Sequence, residues 1–199
     1  MRPASRSTPA RPVRQYAELH CHSALSLLDG ASLPEALAER AAELGYPALA
    51  LTDHDDLGGV VRFGTACAAA GIGGILGAEL TVRMPELGAT RTQGRSVGER
   101  RTHLVLLAET REGYRNIASL ITRARMDSER GRPSVPWALV TRHTQGVTAL
   151  SGCPNGWIPQ LLAEGREQDA WTAATELRDV FGEHLAIECW DHRLPEERA

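Results

Sequence analysis

The sequence lacks an apolar run long enough to cross a membrane, and its N-terminus lacks the apolar core of a signal peptide. Its four cysteines show neither a Cys-x-x-Cys pair nor the spacing of a disulfide framework. These absences exclude a membrane protein and a secreted disulfide scaffold, and they predict a reduced, cytoplasmic protein. Lysine is also absent, since all 22 basic residues are arginine; we attribute this to a GC-rich genome rather than to a function.

Positive charge is not in excess either. The net charge is −3, so the chain is not by itself an electrostatic DNA binder. With 199 residues, 42% of them hydrophobic and 24% charged, it has the composition of one globular domain with a real core. Residues 1–14 are rich in Arg, Pro and Ser and predict a disordered tail, which leaves residues 15–199 as the domain.

A His-x-His pair, His20 and His22, is the strongest local feature of the sequence. Residues two apart on a strand face the same side, so both imidazoles point toward one place. Two converging imidazoles suit a divalent metal ion. Taken alone, such a pair more often reflects chance or packing than a metal site.

Further ionisable side chains lie at the ends of other apolar runs. One such run is followed directly by Asp53, His54 and Asp55, which together provide a carboxylate, an imidazole and a second carboxylate. The other runs carry Glu79, His103 and Cys153. Because structural needs rarely repeat this pattern from strand to strand, the set as a whole predicts a site for several metal ions at one mouth of the fold.

Strand-like and helix-like segments alternate along the chain. We predict strands at about residues 15–21, 47–52, 73–82, 103–108, 146–151 and 184–190. Alternation of this kind favours parallel βα units closing into a barrel. His103 fits this arrangement poorly, because it begins its strand while barrel sites use the carboxyl ends of strands. Either that strand runs differently or His103 is a weaker ligand.

The order of these motifs resembles the PHP (polymerase and histidinol phosphatase) domain. The sequence around His20 resembles the error-prone branch of bacterial DNA polymerase III α subunits. A second resemblance to that branch lies in the segment Ile187-Glu188-Cys189-Trp190-Asp191-His192-Arg193. The resemblance covers about residues 15–199. It implies an α/β fold, a distorted seven-stranded β/α barrel similar to a TIM barrel.

The resemblance also implies a centre of up to three divalent ions, zinc or manganese, with magnesium possible. One ion belongs to His20, His22 and Glu79, and a second to Asp29 and His54. The third belongs to Glu79, His103 and Cys153, so that Glu79 bridges two ions. Such ions clamp a phosphate and lower the pKa of a bound water, which is the chemistry of phosphoester hydrolysis.

Each of the less certain ligands has a plainer interpretation. Asp29 precedes Gly30 and is also typical of a turn, and Cys153 before Pro154 can simply end a strand. Asp53 and Asp55 flank His54, so we expect them to support the ligands from behind, without binding metal, or to cap a helix.

The family pattern ends with an Asp-x-His or Asn-x-His pair on a seventh strand, and no such pair occurs in this sequence. We therefore expect a piece of a longer protein, incomplete before its last strand, that alone binds metal weakly and hydrolyses little.

Three functions follow from the resemblance. The first is the N-terminal PHP domain of an error-prone DNA polymerase III α subunit, serving as a scaffold or as a metal-dependent phosphoesterase on DNA ends. In that case DNA binds to polymerase domains that are absent from this chain, and other replication or mutagenesis subunits are possible partners. The alternatives are a free-standing phosphoesterase of the histidinol-phosphatase type and a non-enzymatic structural metal module.

Overall fold

The computed structural model describes residues 16–87 and 99–190, so the predicted tail at residues 1–14 lies outside the described residues. The strands in this part of the chain are β1 (Ala48–Leu51), β2 (Gly73–Pro85), β3 (Glu99–Ala108), β4 (Val135–Pro136), β5 (Val147–Leu150) and β6 (Leu185–Ala186). The α-helices are α1 (Pro34–Glu43), α2 (Val60–Ala70), α3 (Arg111–Asp127), α4 (Trp137–Val140), α5 (Trp157–Ala163) and α6 (Glu167–Phe181).

Local sequence explains where the first helices begin and end. Helix α1 begins at Pro34, whose missing N–H costs nothing at a helix start. Its N-cap is Leu33, and no side chain caps this end of the helix with a hydrogen bond. Helix α2 ends at Gly71, whose φ of 74° is the left-handed conformation that glycine adopts without strain.

The strands form one sheet in the order β1-β2-β3-β5-β6, with β4 paired to β2. The predicted α/β fold is confirmed. The six described strands leave the sheet open, whereas the resemblance implied a seven-stranded barrel. The prediction of parallel units throughout is wrong at β3, which pairs antiparallel with both β2 and β5. The physical reason is that β2 and β3 form a hairpin instead of being joined through a crossover helix.

The first and last predicted strands are much shorter than expected. Near residues 15–21, the described chain makes a single bridge from Glu18 to Leu49, and the backbone N–H of Thr52 donates to the carbonyl of Cys21. The last strand is only Leu185–Ala186. Beyond it, the Glu188 N–H donates to the Ser151 hydroxyl instead of to a neighbouring strand.

Successive side chains of β2 and β3 alternate between the two faces of the sheet, so that one set faces the core and the other set faces the site. Ala78, Leu80 and Leu104 face the larger core, which they share with helices α3 to α6. A smaller core lies between α1, α2 and β1. The intervening residues of the hairpin point to the opposite face of the sheet. Glu79 and His103 are among them, so the hairpin itself presents both side chains at the site.

Candidate metal centre

Glu79 lies at the centre of the site, and its side chain is fully buried. Four imidazoles from four parts of the chain face its carboxylate. Oxygen Oε1 lies 3.5 Å from Nε2 of His20 and 3.1 Å from Nδ1 of His103. Oxygen Oε2 lies 3.3 Å from Nε2 of His22 and 2.9 Å from Nδ1 of His54. The structure therefore brings these five predicted side chains together.

Four ring nitrogens converge on the carboxylate of Glu79. Neither carboxylate oxygen has a hydrogen-bond partner in the described part of the chain, although four ring nitrogens lie within 3.5 Å. A buried carboxylate with no donor is costly unless a cation or a protonated neighbour compensates it. Burial opposes ionisation of Glu79, yet the facing imidazoles hold its pKa well below the usual range. These residues fit a divalent cation.

His20 is held by a second carboxylate that the sequence did not assign. Its Nδ1 lies 2.6 Å from Oε1 of Glu188. If Nδ1 carries the proton and donates it there, the lone pair of Nε2 is directed into the site. Burial lowers the pKa of His20, but the hydrogen bond with Glu188 and the negative charge of the nearby Glu79 carboxylate outweigh burial and raise it to about 9. In the absence of metal, His20 is therefore an imidazolium at neutral pH.

Asp29 joins two of the imidazoles. Its Oδ2 lies 2.6 Å from Nδ1 of His22 and 2.8 Å from Nε2 of His54. Partial burial raises the pKa of Asp29, but these two contacts outweigh burial and lower it below its ordinary value. The preceding residue, Leu28, has a positive φ of 71°, which is unusual for a branched side chain. That backbone turn brings Asp29 back over the site.

Three sets of side chains have ligand atoms within 4.8 Å of one another. They are His20, His22 and Glu79; His22, Asp29 and His54; and His54, Glu79 and His103. The first set is the same as the first predicted ion site. The second adds His22 to the predicted pair, and the third has His54 in place of Cys153. Metal binding by these residues remains a prediction.

Cys153 lies at the edge of the cluster. The buried side chain places Sγ 3.3 Å from Nδ1 of His103. Burial and the nearby Glu79 carboxylate both raise the pKa of this thiol, so it is protonated unless a metal ion displaces the proton.

We expect Cys153→Ala to lower the zinc bound per chain. Loss of a soft thiolate ligand weakens zinc more than manganese, because manganese prefers oxygen and nitrogen ligands. Elemental analysis after dialysis against each metal measures the effect. Unchanged zinc stoichiometry would remove Cys153 from the ligand set. Cys67→Ala is the matched control, because Cys67 is buried in the small core away from the site.

Asp53 and Asp55 hold the backbone on either side of His54. Asp53 accepts hydrogen bonds from the N–H and hydroxyl of Ser23 and from the hydroxyl of Ser26. Asp55 accepts from the N–H and hydroxyl of Thr81. Neither residue caps α2, whose N-cap is Gly59. Their contacts agree with the expected supporting role and not with the helix-cap alternative.

Two contributors were missed at the sequence level. Glu188 was part of the motif that carried the resemblance, but it received no role. Its signal was an acidic residue at the carboxyl end of a predicted strand, the same signal that identified Glu79. Ser26 accepts from the His54 N–H and donates to Asp53, and nothing in the sequence distinguishes it from an ordinary loop serine.

A family model described as "PHP domain" matches residues 18–192. The chain belongs to the PHP-domain family. This PHP chain is 40% identical over 184 residues to "DNA polymerase III subunit alpha" of Treponema pallidum, a match that covers 92% of the chain and 16% of that protein. It is 43% identical over 194 residues to "Error-prone DNA polymerase" of Cutibacterium acnes, covering 94% of the chain and 16% of that protein. The predicted resemblance is confirmed.

The PHP chain thus spans 16% of the length of each of these two relatives. Among solved structures, an amidohydrolase from Chromobacterium violaceum is 32% identical with a TM-score of 0.41, covering 55% of this chain and 33% of that one. This partial match adds nothing to the family assignment. Within residues 16–87 and 99–190, no helix has the length and apolarity needed to span a membrane.

Proposed function

We propose that this chain is the N-terminal PHP region of a bacterial error-prone DNA polymerase III α subunit. The identity to proteins of that kind, spread over more than nine-tenths of the chain, supports the assignment. In such a protein, template-directed DNA synthesis belongs to regions outside this one. DNA and other replication or mutagenesis subunits are the partners that this assignment implies.

Within that protein, we assign the site to divalent metal binding and metal-dependent phosphoester hydrolysis. The observation that carries this proposal is the fully buried Glu79 carboxylate, which has four imidazole nitrogens within 3.5 Å and no hydrogen-bond donor in the described residues. The proposed ligands are His20, His22, Asp29, His54, Glu79, His103 and Cys153. They hold up to three ions, with Glu79 shared between them. Imidazole and thiolate favour zinc, while the carboxylates also accept manganese and magnesium.

The residues around the ligands orient them before any substrate arrives. Glu188 fixes the ring of His20, and the Asp53–Ser26 contact fixes the backbone of His54. Such outer partners typically contribute about 10–100-fold to metal affinity or activity. When bound, the ions supply a Lewis acid for a phosphate oxygen and a water of lowered pKa. The chain's own contribution is a rigid, partly buried cradle of nitrogen and oxygen ligands.

Metal content and hydrolysis measured on the same samples test this assignment. We expect the chain loaded with zinc or manganese to release p-nitrophenol slowly from bis(p-nitrophenyl) phosphate. We expect His22→Asn to lower both bound metal and rate, because it removes a nitrogen shared by two of the three ligand sets. His143→Asn is the control, since His143 instead contacts the carbonyl of Leu139.

Equal metal content in the wild-type chain and His22→Asn would contradict the proposed site. Bound metal that depends on His22, together with a hydrolysis rate that does not, would favour the structural metal module over the phosphoesterase.

A further inference from the structure

A polar cleft of about 450 Å³ opens beside His54. Three arginines line it, Arg101, Arg125 and Arg132, and we refer to this feature as the arginine cleft. Its remaining walls are His54, Asp55, Thr81, Gly131 and Pro133. Because His54 belongs to both features, the cleft is continuous with the candidate metal centre. The chain as a whole carries a net charge of −3, so this concentration of positive charge is a local exception.

Arg101 is held in place without being neutralised. Its guanidinium donates to the carbonyl of Pro133 at 2.9 Å and, more weakly, to the carbonyl of Arg132 at 3.5 Å. It also approaches the hydroxyl of Ser134 at 3.4 Å. All of these acceptors are uncharged. The contacts therefore fix the position of the side chain while its positive charge remains available to an anion.

The other two arginines differ in their charge balance. Arg125 pairs with the carboxylate of Asp56 and donates to the carbonyl of Asp55, so most of its charge is compensated. The side chain of Arg132 has no ion pair or hydrogen bond among the described residues. The carboxylate of Asp55 is committed to Thr81 and does not face Arg132 in an ion pair. Two positive charges in the cleft thus lack a carboxylate partner within residues 16–87 and 99–190.

The sheet fixes the direction from the metal centre to the cleft. Arg101 precedes His103 by two residues on β3, so both side chains lie on the same face of the strand. Along a strand, such neighbours are about 7 Å apart. Thr81, which lines the cleft, pairs with His103 in the hairpin register. A chain of phosphates that enters the metal centre can continue along this face toward Arg101.

We propose that the arginine cleft binds a second phosphate of a single-stranded nucleic acid end, next to the phosphate that the metal centre receives. Guanidinium groups match phosphate oxygens with paired hydrogen bonds, and a ligand that occupies both the metal centre and the neighbouring cleft needs two linked phosphates. The substrate class is then an oligonucleotide and not a small phosphate monoester. The role of the metal centre here rests on the proposed function, but the anion binding by the cleft does not.

Binding to the metal-free chain tests the cleft separately from the metal centre. The probe is a short fluorescein-labelled oligothymidylate, followed by fluorescence anisotropy in EDTA at low salt, with inorganic phosphate and thymidine monophosphate as competitors. We expect Arg132→Gln and Arg101→Gln each to weaken binding about tenfold, as for loss of one charged hydrogen-bonding group. Each loss should also reduce the slope of log affinity against log salt by about 0.7.

Arg115→Gln is the matched control, because it removes the same charge from an exposed position on α3 whose partner is Glu112. Arg132→Gln keeps the test sound if Arg101→Gln unfolds, since the Arg132 side chain makes no hydrogen bond or ion pair with the residues that the structure describes. Binding by both cleft variants equal to that of Arg115→Gln would overturn the proposal. So would competition by thymidine monophosphate as strong as that by the unlabelled oligonucleotide.

Metal content of the same proteins keeps this proposal distinct from the proposed function. We expect Arg132→Gln to retain the metal content of the wild-type chain. A wild-type chain that binds the oligonucleotide but no metal would contradict the metal centre and leave the cleft supported. If the wild-type chain binds metal, but both cleft variants bind the oligonucleotide as tightly as the wild-type chain does, the metal centre is supported and the cleft is contradicted.

Discussion

Glu79→Gln is expected to abolish metal binding by this chain. The substitution keeps the shape of the side chain but removes its negative charge, and it replaces one ligand oxygen with an amide nitrogen, which does not bind a metal ion. Glu79 belongs to two of the three ligand sets, so its loss affects more than one ion. We expect affinity to fall by more than the roughly 100-fold upper range for outer partners of metal ligands.

Metal stoichiometry by elemental analysis after dialysis measures this loss, and circular dichroism on the same sample verifies the fold. Glu43→Gln is the matched control, because Glu43 is an exposed carboxylate on α1 that pairs with Arg40, away from the site. A Glu79→Gln chain that is folded and retains its full complement of zinc or manganese would contradict the assignment of Glu79 as the shared ligand.

The metal-free chain is expected to lose about 3 kcal/mol of unfolding free energy between pH 6 and pH 9, since each unit of pKa shift is worth about 1.4 kcal/mol. The pKa of His20 is raised from 6.5 in the unfolded chain to about 9 in the folded one. A group whose pKa is raised by folding stabilises the fold below its unfolded pKa. That stabilisation is therefore complete near pH 6 and declines as the pH rises toward 9.

Urea unfolding in EDTA at several pH values measures this dependence. Glu188→Gln is the informative variant, because it removes the hydrogen-bonding carboxylate that does most to raise the pKa of His20. We expect the decline in that variant to begin near the same pH, to end at a lower pH and to be smaller. Unfolding midpoints that are equal at pH 6 and pH 9 in the wild-type chain would refute the ion pairs that surround His20.

Much of the candidate site could be predicted because its signals are local. His20 and His22 are two residues apart, and His54 is flanked by two acids at the end of an apolar run. Each of these patterns is readable without knowing what lies across the fold. The convergence of the seven predicted side chains depended on the resemblance, because spacing alone does not say which strand ends meet.

The remainder depended on contacts between distant parts of the chain. The position of His103 at the start of its predicted strand left two interpretations open, and only the antiparallel pairing of β2 with β3 decides between them. Glu188 reaches His20 across 168 positions of sequence. The positive φ of Leu28 also has no sequence signal, because a branched apolar residue adopts it under tertiary constraint and not by preference.

The hairpin of β2 and β3 has a consequence for how this family can diverge. Nine residue pairs, from Gly77–Leu107 to Pro85–Glu99, fix the alignment of its two strands. Glu79 and His103 lie well inside that ladder. Insertions or deletions between Pro85 and Glu99 therefore need not shift either side chain, so that this stretch of sequence can vary in length while the site keeps its geometry.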